Sequence, residues 1–493
     1  MRQHRVLITI SVMIASIMQA LDATIANVAL PHIQGSLSAS QDQITWVLTS
    51  YIIATAIMMP LSGWLAQQYG RKRVFLLSIA GFTVASVLCG LAQTLPEMVV
   101  FRALQGIGGA ALMPMSQSVL LDINPPERHG RAMAVWGMGV VLGPIIGPAL
   151  GGWLTDGYDW RWVFYINVPL GILAFLGVLT FLAESPRRST RFDFFGFITL
   201  SLGLGAFQMM LDRGPLKDWF GATEVWVEAV IAAVAFYLFM VHMVTAREHP
   251  FVSPSLFRDR NFVIGNGFIF IVGVVLFATL ALLPPLMQEH LGYPVLLTGL
   301  LTAPRGIGTL LSMLVVGRLV GRVPTRYLIL FGLLSTAFSL WQMTEFDLLM
   351  DGRPFIWSGV IQGFGTGFIY VPIAAVAFST LGRDLRNEAT AVFNLMRNIG
   401  SSIGISVVEA LLVRNTQIMH SALAAHVTAY AGARSGSVDS DLLTLNQQVT
   451  EQAAMIAYND DFKLMMILTI CLIPFVFLLR AVPAHKGESV VME

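Results

Sequence analysis

Phe101-Arg102-Ala103-Leu104-Gln105-Gly106-Ile107-Gly108-Gly109-Ala110-Ala111-Leu112-Met113 lies inside an apolar run from 97 to 119 and carries one charge. A run of that length crosses a bilayer, which takes about 20 residues at about 1.5 Å each. Its centre returns later in the chain: Gln105-Gly106-Ile107-Gly108 recurs as Gln362-Gly363-Phe364-Gly365, an offset of 257. Ala134-Val135-Trp136 recurs at the same offset as Ala391-Val392-Phe393, and Gly143 with Gly147 as Gly400 with Gly404. A weaker echo, at an offset of 254, matches Gly63 and the basic loop after it to Gly317, Arg322 and Arg326. Several matches at nearly one offset imply a chain built as two similar halves.

The composition agrees. Of 493 residues 55% are apolar and 12% charged, against about 25% charged in an ordinary soluble protein. Runs long enough to span lie near 6–28, 43–66, 74–93, 97–119, 131–153, 162–183, 194–211, 225–246, 261–283, 294–317, 327–344, 355–378, 388–412 and 463–482. The expected fold is an all-α polytopic membrane protein of fourteen spanning helices. A six-helix bundle covers 1–183, an inserted helix pair with its loops covers 184–254, and a second six-helix bundle covers 255–493. The first run reads as a spanning helix, since it is too long for a signal peptide and contains Asp22. Paired repeats around a midplane site are the architecture of secondary transporters.

The basic residues gather in alternate loops, such as Arg71-Lys72-Arg73, Arg187, Arg188, Arg191, Arg318, Arg322 and Arg326. Loops rich in Lys and Arg stay in the cytoplasm, which puts both termini inside. The one long external segment, 414–461, is polar and expected to be partly helical. A net charge of +1 gives no reason to expect nucleic acid, and two cysteines inside apolar runs exclude a disulfide framework. None of Lys72, Lys217, Lys463 and Lys486 precedes Ser or Thr, so no phosphate-binding loop drives the molecule. No His-Glu-x-x-His occurs, the nine histidines are scattered, and no metal site is expected.

Leu21-Asp22-Ala23-Thr24-Ile25-Ala26-Asn27-Val28-Ala29-Leu30-Pro31 resembles the first-helix signature of the fourteen-helix drug:proton antiporters, a family of the major facilitator superfamily. Arg102-Ala103-Leu104-Gln105-Gly106 resembles their fourth-helix motif. Gly143-Pro144, Gly147-Pro148 and Gly151-Gly152 resemble the antiporter motif of the fifth helix. Leu211-Asp212-Arg213-Gly214, followed by Asp218-Trp219-Phe220, is similar to the EmrB-like branch. The resemblance covers nearly the whole chain except 414–461. It implies alternating access in the bacterial inner membrane, exporting hydrophobic and amphipathic compounds against a proton gradient, with no cofactor. A periplasmic adaptor and an outer-membrane channel are the partners it suggests. An exporter of one metabolite, or an importer of a nutrient, is the rival reading, and the fifth-helix Gly-Pro pattern argues against import. One departure matters: the usual carboxylate after Gly63 is Gln67, ahead of Gly70 and Arg71. That leaves the loop either a weakened charge relay or a set of basic residues that fix topology.

Asp22 is the sharpest single residue. Counting from Val6 places it roughly 24 Å up a core about 30 Å thick. An ionised carboxylate is costly there, so Asp22 is either a proton carrier or a paired structural acid. Arg102, on a helix running the other way, comes out at similar depth, to couple with Asp22 or to serve as a structural hydrogen-bond donor. Glu409 is either a second proton site or an interfacial acid. Arg305 and Arg397 fall near the midplane, where an Arg lines a cavity or pairs with a partner. Gln19, Asn27, Gln105 and Gln362 join them as candidates for the cavity wall. The helix-five glycines permit close packing, and such a helix can slide on its neighbour.

Overall fold

The computed structural model describes residues 2–125, 128–185, 187, 191–246, 250–426 and 438–479. Arg188, the stretch 427–437 of the segment 414–461 and the C-terminal tail from 480 lie outside them. The first half holds α1 (Arg2–Ser36), α2 (Trp46–Tyr69), α3 (Arg71–Leu91), α4 (Leu95–Gly109), α5 (Leu112–Ile123), α6 (His129–Gly157) and α7 (Asn167–Phe181). The next pair is α8 (Phe194–Arg213) and α9 (Thr223–Thr245). The second half holds α10 (Arg260–Pro285), α11 (Val295–Leu319), α12 (Thr325–Met343), α13 (Arg353–Ala377), α14 (Arg386–Ala424) and α15 (Val438–Cys471).

Local chemistry sets the boundaries. Glu97 N donates to Thr94 Oγ1 at 3.4 Å while the Glu97 carboxylate accepts from Thr94 N at 3.3 Å, a reciprocal cap that starts α4. The run 97–119 does not stay one helix. Pro114 lacks an N–H and its ring crowds the carbonyl one turn back, at Ala110, so α4 ends and α5 begins at Leu112. Gln19 of α1 accepts the freed Met113 N–H at 3.1 Å. The last run also differs from expectation: α15 stops at Cys471, shortly before Pro474. With α4 and α5 counted as one span, twelve spans among the described residues are long and apolar enough to cross a bilayer, and the run 327–344 forms α12.

The halves pack alike. α1 lies on α6 as α10 lies on α14, and α2 lies on α4 as α11 lies on α13. α8 and α9 pair with each other, and α8 docks on α2 and touches α14. α9 turns Val225, Ala232, Ala235 and Phe239 inward and leaves Trp226, Val230, Val234 and Val244 exposed, a lipid-facing pattern. α14 and α15 run on into the segment 414–461, and α15 is already packed into the bundle by Ala453, Met455 and Tyr458. Much of 414–461 is therefore helix, and its second part belongs to the packed body.

The halves meet at the end that carries Arg71, Arg128 and Arg318, called here the basic end. Asp122, at the end of α5, is held by Arg71 Nη1 at 2.5 Å and by Arg386 Nη1 at 2.6 Å. Ser118 Oγ donates to Asn387 Oδ1 at 2.5 Å, and Asn394 Nδ2 donates to Gln117 Oε1 at 2.8 Å. Gly63 lets α2 approach α14 so closely that a Cβ there would sit 3.1 Å from the Glu388 backbone. Gly70, at φ +94°, turns the chain between α2 and α3 and faces the Glu184 carboxylate. The loop's Arg71 is therefore paired despite Gln67: it finds its acid in Asp122 at the end of α5.

Candidate functional site

Asp22 is fully buried in the first half, and its carboxylate is held by polar side chains from two other helices. Arg102 Nη1 donates to Asp22 Oδ2 at 2.9 Å and to Gln105 Oε1 at 2.7 Å. Gln105 Nε2 donates to Asp22 Oδ1 at 2.8 Å, and Asn167 Nδ2 donates to the same oxygen at 2.9 Å. Asn167 also reaches Ser86 Oγ at 2.9 Å. Arg102 Nε donates to the Val47 carbonyl at 3.1 Å, and the Tyr51 ring lies 4.4 Å below the guanidinium. α4 and α7 thus hold the carboxylate of α1 directly, and α2 and α3 support them through Val47, Tyr51 and Ser86. A buried ion pair survives only when its remaining donors and lone pairs are also answered, and here Gln105 and Asn167 answer them.

A second feature lies between the halves. A cavity of about 760 Å³ runs along α6 from Trp136 to Gly157 and along α11 from Gly299 to Met313. Val272, Gly273, Leu276, Phe277 and Leu280 of α10 close another side. It is sealed toward the basic end, where Gly137 meets Met313, Gly317 meets Ala134 and Gly130 meets Val320. Arg305 and Arg397 line it, and they are the charged residues among those that do. Tyr370 lies beside Arg397 and stacks on Trp136 at 6.0 Å.

α6 connects the two features. Gly143, Gly147 and Gly151 face α1: a Cβ on Gly143 would sit 2.5 Å from Ala20, one on Gly147 would strike the Thr24 hydroxyl, and one on Gly151 would sit 2.9 Å from Ile25. Thr24 Oγ1 donates to the Gly143 carbonyl at 3.2 Å. One position further round, Pro144, Pro148 and Gly152 face the cavity. The Gly-Pro pairs are two stripes on one helix, the first seating the turn that carries Asp22 and the second walling the cavity.

The remaining candidates divide. Gln105 belongs to the Asp22 network and Gln19 to the start of α5, not to the cavity wall. Asn27 is exposed and lies outside the lining, and Gln362 lines a separate small pocket with Thr366 and Thr469. Glu409 is exposed on α14, away from Asp22 and within electrostatic reach of Asp212 on α8. The sequence reading missed Asn167, Ser86 and Asp122. Each is a polar residue in or at the end of an apolar run, and that was the available signal.

The family model for the Major Facilitator Superfamily matches residues 12–405. The Fatty acid resistance protein FarB of Neisseria gonorrhoeae is 36% identical, over 97% of both chains. The Multidrug export protein EmrB of Escherichia coli K12 is 36% identical, over 93% of this chain and 92% of that one. The Multidrug resistance protein B homolog of Mycobacterium tuberculosis is 30% identical over 96% and 90%. Among solved structures, the human organic anion transporter MFSD10 superposes with a TM-score of 0.62 at 13% identity, over 94% of this chain and 99% of that one. The proton:xylose symporter XylE gives 0.62 at 15% identity, over 96% of each. With its repeated helical halves, the cavity between them and a family match across most of its length, the chain belongs to the major facilitator superfamily of membrane transporters.

Proposed function

We propose that the protein is a proton-driven exporter of hydrophobic and amphipathic small molecules in the bacterial inner membrane, with both termini in the cytoplasm. The observation that carries this reading is the arrangement around α6. Asp22 is sealed from the cavity, yet the turn of α1 that holds it rests on the glycine stripe whose neighbouring stripe walls that cavity. A change in the charge of Asp22 alters how tightly Arg102, Gln105 and Asn167 hold α1, and α6 is the element through which the cavity feels it. Proton and substrate then use different sites on one moving part. With the basic end in the cytoplasm, the cavity faces outward, the state from which substrate leaves and a proton enters. The family's relatives named for multidrug export and fatty acid resistance fit a greasy cavity of this size. An adaptor and an outer-membrane channel complete the proposed path, with the protruding ends of α14 and α15 as the surface that meets them.

Asp22→Asn tests the proposal in proteoliposomes with an imposed pH gradient, following drug movement and lumenal pH together. Asn keeps size and hydrogen bonding but carries no exchangeable charge. Binding of substrate should persist while gradient-driven transport falls to background. Concentrative transport with normal proton flux in the variant would overturn the assignment.

A further inference from the structure

We infer that Arg305 and Arg397 form an anion-selecting site in the cavity, which takes amphipathic molecules bearing a carboxylate head; the inference rests on reading the cavity as the substrate site. The internal repeat supplies the first argument. In the first half Gln105 Nε2 donates to Asp22, and in the second Gln362 Nε2 donates to Thr279 Oγ1 at 3.2 Å, across the same 83 residues of chain. Thr279 therefore stands where Asp22 stands. Gly106 backs onto the Tyr51 carbonyl and the Thr55 hydroxyl, and Gly363 backs onto the Arg305 carbonyl and the Thr309 hydroxyl. Arg305 therefore stands where Tyr51 stands. Gly359, at the place of Arg102, leaves room against the Arg305 side chain, whose Cβ is 3.5 Å from where a Cβ on Gly359 would be. The second half thus has a guanidinium at this node and, with Thr279 at the place of Asp22, no acid there to answer it.

The local geometry supplies the second argument. Arg305 is buried, spends Nη2 on a 3.3 Å bond to the Leu276 carbonyl, and finds no acceptor on the protein for Nε or Nη1. Arg397 reaches the Met113 sulfur at 3.4 Å, and its Nε has no acceptor. Among the described residues no carboxylate lines the cavity. A guanidinium within a membrane ordinarily pairs with an acid, and its planar fork fits a carboxylate through two charge-assisted bonds. Val140, Val141, Ile145, Phe277 and Leu280 supply the apolar wall for the rest of such a molecule. A permanent cation meets two like charges in a poorly screened space.

The test is equilibrium binding to purified protein with two acid–ester pairs, decanoic acid with methyl decanoate and naphthylacetic acid with its methyl ester. Each ester keeps the body and removes the charge, and the alkyl and aryl pairs show which body the walls prefer. Wild type should bind each acid more tightly than its ester. Arg305→Gln and Arg397→Gln should each weaken the acids about tenfold or more and leave the esters unchanged, which also shows that the variants are folded. Arg305→Lys, which keeps the charge but not the fork, should recover part of the loss. Equal affinity of acid and ester for wild type, or unchanged acid affinity in both Gln variants, overturns the proposal. Ala303→Trp, which projects an indole into the cavity, should weaken acids and esters alike. Unchanged affinity for both would overturn the cavity reading itself and this inference with it, an outcome distinct from failure of the arginine variants alone.

Discussion

Gln105 shows how one side chain can carry the logic of a half. It donates to Asp22 and accepts from Arg102, so it fixes the distance between the two charges. Gln362 occupies the repeated position and makes the same donation to a hydroxyl that cannot ionise. The two glutamines are alike in sequence and unlike in consequence. Gln105→Leu should leave buried charge incompletely answered, costing about 1–3 kcal/mol, and should cut gradient-driven transport at least tenfold. Gln362→Leu should leave proton flux near wild type. Parallel measurement of lumenal pH and substrate uptake checks this, and equal losses from both variants would remove the distinction between the halves.

At the scale of the element, α6 is decided by which face each small residue takes. Association of helices in lipid depends on close packing rather than on escape from water, so added volume on the glycine stripe acts directly. Gly147→Val would drive a branched side chain into Thr24 and should abolish transport, with lower thermal stability of the purified protein. Gly152→Ala meets open space and should transport and melt like wild type. Similar defects in both would mean that the two stripes are not distinct. The Gly-Pro pairs also loosen the helix locally: each proline leaves a carbonyl one turn back without its helical donor, and each glycine admits a close neighbour on α1.

The whole molecule is held in one state by contacts at its basic end. Arg71, Asp122 and Arg386 join the two halves there, with Ser118 against Asn387 and Gln117 against Asn394. Alternating access requires these contacts to part while the opposite end closes. Ser118→Cys with Asn387→Cys, in a Cys471→Ser background because Cys471 is exposed, should crosslink with a short thiol reagent. The crosslinked protein should stop transporting, and a reducible linker should allow recovery. Undiminished transport after complete crosslinking would show that this end does not open during the cycle.

The sequence by itself determined the class of the molecule. Long apolar runs must become helices in lipid because no other open structure satisfies the backbone there, and the 257-residue repeat pairs its halves before any contact is known. It also marked Asp22, Arg102, Arg305 and Arg397, because charge in such runs is expensive and therefore conspicuous. Depth was countable along each helix at about 1.5 Å per residue, which is why Asp22 and Arg102 could be matched. Direction around the helix was not, because these runs are apolar on every side and give no periodic signal to show which face meets which neighbour. Only the tertiary structure therefore decided that Gln105 serves Asp22 while Gln19 caps α5. It alone paired Arg71 with Asp122, an acid more than fifty residues further along the chain. It also separated Asp22 from the cavity and left the two arginines facing that cavity without an acid of their own, since a partner in space is set by helices that lie far apart in the chain.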